Sequence, residues 1–272
     1  MKPDYILRFK PNRHQALWGE ESWVVSVHSD GPGIIANGSL AGKSLAEVCP
    51  DFNLLAKVID AKKRLSVQVH PNERTSHLTG GVPKTELWCM LGDGIIYAGL
   101  KPGTKADDVY SAVAGGRFED LLIRHEAKKG EVYFIPGGLV HAIGDGVRLY
   151  EIQQSSNTTY RLYDWNRVGT DGRPRELHIG KSLVSIDYTM PVPVPQTEAD
   201  CPFFSFRQID VAGSCEFAPD DTYQVLFVAE GDVLVDGETL ACGESALVPP
   251  GVPLRFESEY AHVFISRQGV SR

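Results

Sequence analysis

The sequence predicts a mainly β protein made of two small barrels in tandem, with a few short helices. Three observations carry this. Short runs rich in β-branched and aromatic residues recur along most of the chain. Gly, Pro and Asn clusters separate them, and the 272 residues include 27 Gly and 17 Pro, a composition suited to many tight turns. A Gly-x5-Pro stretch occurs in each half, from Gly130 to Pro136 and from Gly243 to Pro249.

In chain order, Ser44 and Glu47 form a capping-box pattern that opens a short helix around 44–48. LLAKVID, RLSVQVH, TELWCML and GIIYAGL then read as strands. Residues 104–122 predict one or two helices interrupted at Gly115-Gly116. EVYFIP, VRLYEIQQ and TYRLYDW are further strands, and 175–186 predicts a helix with Leu177, Leu183 and Ile186 on one side. The Pro-rich stretch YTMPVPVPQTEADCP breaks this texture and reads as a linker. Short strands resume beyond it, so the expected domains are 1–190 and 191–272.

Composition narrows the function. A 42% hydrophobic content can fill a real core, and the formal charge of −8 argues against nucleic acid or an anionic membrane as partner. An anionic substrate would need a local basic pocket. Five widely spaced cysteines without a CxxC suggest neither a disulfide framework nor a thiolate zinc site. No run approaches 18 apolar residues, and the first twenty lack the apolar core of a leader. The expectation is a cytoplasmic protein with reduced thiols, no membrane and no obligate protein partner.

Four segments offer chemistry. In LSVQVHP, Gln68 and His70 lie two apart and project to one face of a strand, together with Ser66. They could be half of a metal site, or a buried pair that satisfies its own hydrogen bonds. In KTELW, Glu86 and Lys84 share a face. They could be a ligand and a cation beside it, or a surface ion pair. Gly130-EVYFI-Pro136-Gly137-Gly138-LV-His141 resembles the second cupin motif, G-x5-P-x-G-x2-H, at every fixed position. Pro136 and Gly138 would turn the chain, and His141 would begin the next strand. In EIQQSSNTTYRLYDW, Arg161 sits among Tyr, Leu and Trp, where a partly buried guanidinium needs an anion. Asp164, Glu151, a phosphate or a developing enediolate could supply it. Alternation places Asp164 and Arg161 on opposite faces.

Gln68, His70, Glu86 and His141 together make a mixed N/O set without thiolate, suited to a catalytic divalent metal, with Zn²⁺, Fe²⁺, Mn²⁺ and Co²⁺ all compatible. The first cupin motif usually reads HxH with Glu soon after. Here Gln68 replaces the first His, and Glu86 follows late.

These segments resemble type I phosphomannose isomerase, a family of the cupin superfamily. QVHP, K-x-E-x-W and FIPGGLVHAIGDGVRLYEIQQSSNTTYRLYDWNR carry the likeness, which covers roughly 18–190. The resemblance implies two cupin-type (jelly-roll) barrels and one zinc ion per chain. Its ligands would be Gln68, His70, Glu86 and His141, with Arg161 as active-site arginine and Lys84 as pocket lysine. It implies a zinc-dependent aldose–ketose isomerase that interconverts mannose 6-phosphate and fructose 6-phosphate through a cis-enediol. The base could be Glu151, His70 or Lys84, and Ser66, Lys84 and Arg161 could hold the phosphate. An isomerase of another sugar phosphate and a non-catalytic sugar-sensing cupin are the alternatives. The sequence departs from the family in a short segment between Trp18 and Trp23 and in lacking the large helical insertion of its eukaryotic members. In the second Gly-x5-Pro stretch, Pro253 and Leu254 stand where a ligand would be, so no metal is expected after residue 200.

Overall fold

Strands dominate the chain, and antiparallel pairing organises all the sheets described below. The computed structural model describes residues 3–169 and 172–269. No described helix is long and apolar enough to cross a membrane. No disulfide joins the five cysteines.

The chain forms two compact units. One comprises the residues up to His14, Ser22–Val58 and those from Thr197 onward. The other comprises Gln15–Glu21 and Ile59–Gln196. The grouping differs from a single cut near residue 190, because most of the first 58 residues go with the C-terminal ones. Pairing explains part of this. Leu7–Arg8 is an edge strand on Ser245–Val248, with Leu7 opposite Leu247.

In that first unit the sheet runs, in spatial order, Leu7–Arg8, Ser245–Val248, Gln224–Gly231, Leu254–Gln268, Phe204–Phe217 and Ala199–Asp200. A hairpin of Val233–Val235 and Glu238–Leu240 attaches to Leu254–Gln268. Its core gathers Leu226, Val235, Phe256 and Val263, all buried. The expected helix at 44–48 is present as Leu45–Val48, with both hydrogen bonds of the Ser44–Glu47 capping box formed.

In the second unit a five-stranded sheet runs Tyr160–Tyr163, Val67–Val69, His141–Ile143, Gly94–Leu100 and Leu122–Ala127. A second sheet contains Glu86–Met90 between Arg148–Gln154 and Val132–Ile135. Period-two alternation sorts the side chains. Ile96, Ala98 and Ile143 from the first sheet share one core with Trp88, Met90 and Ile135 from the second. The opposite face of the first sheet presents Val67, Val69, Ala142 and Leu162, which pack with Val109, Phe118 and Ile186 from the helical segments. So even-numbered Gln68 and His70, and odd-numbered His141, face the space between the sheets.

The helix expected at 104–122 appears as Ala106–Ala114 followed by a 3-10 turn at Phe118–Leu121, interrupted at the two glycines. The helix expected at 175–186 is shorter, Ile179–Ser185. Residues ahead of it are held by a strand instead: His178 donates its N–H to the Arg161 carbonyl (2.7 Å) and its Nδ1 accepts the Arg161 N–H (3.0 Å). Backbone bonding to a neighbour outcompetes the helix there. Two short turns, Gly38–Leu40 and Ser76–Thr79, lack an apolar period and escaped the sequence reading.

Candidate metal centre and active site

Three strands bring the candidates together. Val67–Val69 leads directly into His70. In the antiparallel register His141 stands opposite Gln68, which also stands opposite Arg161 on its other side. Directly opposed residues share a face, so Arg161, Gln68 and His141 form a row across the sheet. On the facing sheet Glu86 opposes Gln153, and Trp88 opposes Glu151.

The P-G-G turn ties two of these strands. Gly138 donates its N–H to the His70 carbonyl (2.8 Å). A Cβ on Gly137 would meet the Pro71 carbonyl oxygen at 2.7 Å, and Gly138 has φ +101°. Only glycine permits this close approach with that backbone.

His70, Glu86 and His141 offer ligand atoms that all lie within 4.8 Å of one another, fully buried. It is the only such His/Cys/Asp/Glu group among the described residues. The Nε2 of His70 is 3.3 Å from one Glu86 oxygen, and the Nε2 of His141 is 3.4 Å from the other. Each ring is aimed by its second nitrogen. Nδ1 of His70 meets the Thr158 carbonyl at 2.8 Å, and Nδ1 of His141 meets the Leu139 carbonyl at 2.9 Å. A carbonyl only accepts, so each Nδ1 carries the proton and each Nε2 presents a lone pair. Two lone pairs therefore point at a carboxylate, and neither Nε2 has a hydrogen-bond partner. Acceptors facing acceptors in a buried space is a poor arrangement for a plain core. It suits a cation held among them.

Electrostatics agrees. Burial, with the charge of Lys84 beside it, pushes the His70 imidazolium down to about 4, and burial also lowers His141. Both rings are therefore neutral, as ligands must be. Burial alone would raise Glu86, but the charge of the Lys84 ammonium beside it outweighs this and holds the carboxyl well below the usual range. The Lys84 ammonium lies 2.6 Å from Glu86 and 3.7 Å from Glu151. Glu151, only 2% exposed, accepts the Trp88 indole N–H at 2.9 Å.

The structure thus gathers His70, Glu86, His141, Lys84 and Glu151, and places Gln68 and Arg161 on the same sheet face. Ser66 is buried one residue ahead of the strand, but its hydroxyl hydrogen-bonds to none of them. Arg161 is half-buried, and burial lowers its pKa. One guanidinium nitrogen donates to the Glu176 carbonyl (2.8 Å), and its buried Nε has no partner. Asp164 does not pair with it. That carboxylate accepts from Arg175 and Arg167.

The sequence reading passed over Trp88, Gln153 and the Thr158 carbonyl. Gln153 was recoverable, since it lies two residues from Glu151 on one face. Only the fold reveals the carbonyl.

Comparison with known proteins places this geometry. Residues 10–86 match the model of the phosphomannose isomerase type I catalytic domain. Mannose-6-phosphate isomerase ManA of Bacillus subtilis is 31% identical, with the alignment covering 96% of this chain and 98% of that protein.

The chain belongs to the mannose-6-phosphate isomerase family.

It is accordingly an isomerase. A second relative in the family, the mannose-6-phosphate isomerase of Streptococcus mutans, is 33% identical over 78% of this chain and 75% of its own. The crystal structure of the Bacillus subtilis mannose 6-phosphate isomerase superposes with a TM-score of 0.87 at 25% identity, over 96% of this chain and 99% of that one. A mannose 6-phosphate isomerase bound with zinc and yttrium shares the fold, with a TM-score of 0.74 at 15% identity, over 97% of this chain and 100% of that one.

Proposed function

We propose that this isomerase interconverts mannose 6-phosphate and fructose 6-phosphate, with one zinc ion held by Gln68, His70, Glu86 and His141. The observation that carries the reading is the pair of imidazole lone pairs turned on one buried carboxylate. The substrate comes from the family, whose relatives are named for it. Zinc is supported by the ligand chemistry and by a zinc-bound structure of the same fold. When bound, the metal supplies Lewis-acid polarisation of the sugar's C1 and C2 oxygens.

The remaining steps belong to side chains. Proton transfer between C1 and C2 passes through a cis-enediol and needs one movable base. His70 is a poor choice, since one nitrogen is held by Thr158 and the other belongs to the ligand set. Lys84 is engaged as an ammonium between two carboxylates. Glu151 remains, with one oxygen fixed by the Trp88 indole, and we assign it the proton transfer, with Lys84 balancing its charge. Arg161 faces the developing enediolate from the same row as Gln68 and His141 and stabilises it. Ser66, Lys84 and Arg161 are the donors for the phosphate.

We further assign each compact unit a cupin-type barrel, with the metal site in the unit that contains Ile59–Gln196. The protein then works in the cytoplasm on a free small molecule.

A coupled assay of fructose 6-phosphate formation from mannose 6-phosphate tests the whole reading. Turnover should vanish with a chelator and return with zinc. Full activity in protein shown by elemental analysis to be metal-free would overturn the metal assignment. No turnover by zinc-loaded protein would overturn the substrate.

A further inference from the structure

We infer that Gln153 is a substrate-binding residue: its side-chain oxygen accepts a hydrogen bond from a hydroxyl on C3, C4 or C5 of the open-chain sugar phosphate. This rests on the isomerase reading above and adds a residue that no resemblance assigns.

Gln153 is 1% exposed. Its amide nitrogen donates to the Gln154 carbonyl at 2.9 Å and to the Ser156 carbonyl at 2.7 Å. Both amide protons are therefore engaged. The orientation of the amide follows from its partners, because two carbonyls can accept but cannot donate, and a flipped amide would place oxygen against oxygen. The Gln153 oxygen is consequently turned away from the 154–156 backbone. It is buried and has no hydrogen-bond partner.

The strand register locates it. Gln153 stands opposite Glu86, and Glu151, two residues earlier on the same face, stands opposite Trp88. The oxygen thus belongs to the face that carries the metal ligand Glu86 and the proposed base Glu151. The protein's own donors do not reach it: the Trp88 indole N–H goes to Glu151, and the Lys84 ammonium sits by Glu86 and Glu151. The two nearby carboxylates are acceptors and offer nothing to an amide oxygen. A buried acceptor this close to the reacting centre needs a donor from outside the protein. Sugar hydroxyls are such donors. C1 and C2 carry the reacting oxygens, so the hydroxyls further along the chain are the ones available. A carboxylate at this position would put a third negative charge beside Glu86 and Glu151. An amide supplies the acceptor without that charge.

The same side chain also holds the loop after the strand, whose Thr158 carbonyl aims His70. Loss of activity alone would not separate the two roles. A cycle that crosses protein variant with substrate does. We would compare kcat/KM of wild type and Gln153→Met on mannose 6-phosphate and on its 3-, 4- and 5-deoxy analogues. On wild type, one analogue should lose about tenfold or more, the scale of one buried hydrogen bond left unmade. On Gln153→Met the same deletion should lose no more than about twofold. Equal penalties in both proteins for all three analogues would overturn the proposal and leave Gln153 a loop-holding role, with its oxygen met by a buried water. If the variant does not fold, a crystal structure of wild type with a hexitol 6-phosphate decides. A ligand hydroxyl oxygen at about 3 Å from the Gln153 oxygen is expected. A water there, with no ligand oxygen in reach, would overturn it. Wild-type turnover of mannose 6-phosphate in the same series reports on the isomerase reading separately.

Discussion

Replacing Lys84 by Met removes a charge while nearly preserving the volume, and the structure says in which state the loss should be felt. The Lys84 ammonium is 4% exposed, 2.6 Å from Glu86 and 3.7 Å from Glu151. Without metal it is the only positive charge of that buried trio, so Lys84→Met strips the Glu86 carboxylate of an ion-pair partner 2.6 Å away. Breaking a buried ion pair from one side typically costs about 3–5 kcal/mol. For a chain of this size that corresponds to about 10 °C in Tm. A divalent ion beside Glu86 would supply the missing positive charge. The loss should therefore be less than half as large in zinc-loaded protein. The assay is thermal melting of wild type and Lys84→Met, each with chelator and with excess zinc, followed by circular dichroism. An equal loss in both states would refute the reasoning, since Lys84 would then matter without reference to the metal. No loss in either state would refute the view that Lys84 serves as the counter-ion of Glu86.

Three further outcomes are expected. Arg161→Ala should fold and retain zinc but lose about 10²-fold in kcat, with Arg161→Lys recovering part of it; unfolding, or normal turnover, would sink the catalytic role. Asp164→Asn should destabilise by about 2 kcal/mol at neutral pH, because the carboxylate is 6% exposed and accepts from two guanidiniums. Arg175 and Arg167 outweigh burial and lower the pKa of Asp164 below 3.8. Its contribution is therefore present above that value and lost as pH falls through the lower folded one. The gap between wild type and variant in urea melts should shrink below about pH 4, and a gap that widened there would contradict the assignment. Gly81→Ala should weaken zinc binding by about 10–100-fold, since a Cβ would meet the Tyr160 hydroxyl at 2.3 Å and the Thr158 methyl at 2.7 Å and push on the residue that aims His70. Unchanged affinity in a competition titration would exclude that route.

How far the site was legible depends on how local each signal is. His141 could be placed from its own motif, because Pro136, the two glycines and the histidine form one turn and the start of one strand. Glu86 and Lys84 could be paired by alternation alone. Their burial could not, because a lone Glu in a strand usually faces water, and only the facing sheet encloses it. That Asp164 does not pair with Arg161 was expected, but from an alternation the strand does not keep, since the register shifts between Arg161 and Tyr163 and Tyr163 packs with Tyr160 and Leu162. The Asp164 partners, Arg167 and Arg175, were not expected, because they come from the segment after the strand. The early start predicted for the helix before Ile186 failed for a similar reason, as Arg161 takes His178 into a backbone pairing that periodicity cannot register. The grouping of the first residues with the last ones depends on pairings such as Leu7 opposite Leu247, which no local pattern marks.

The two histidines are aimed from very different distances along the chain. His141 is held by the carbonyl of Leu139, two residues away, whereas His70 waits for Thr158, 88 residues on. One ring is thus set as soon as its turn closes, and the other only after a long loop has been closed against chain entropy. Until residue 158 has left the ribosome, the Nδ1 of His70 lacks the carbonyl that aims it. A metal held at this site would then meet both rings aimed only after the chain as far as Thr158 is in place.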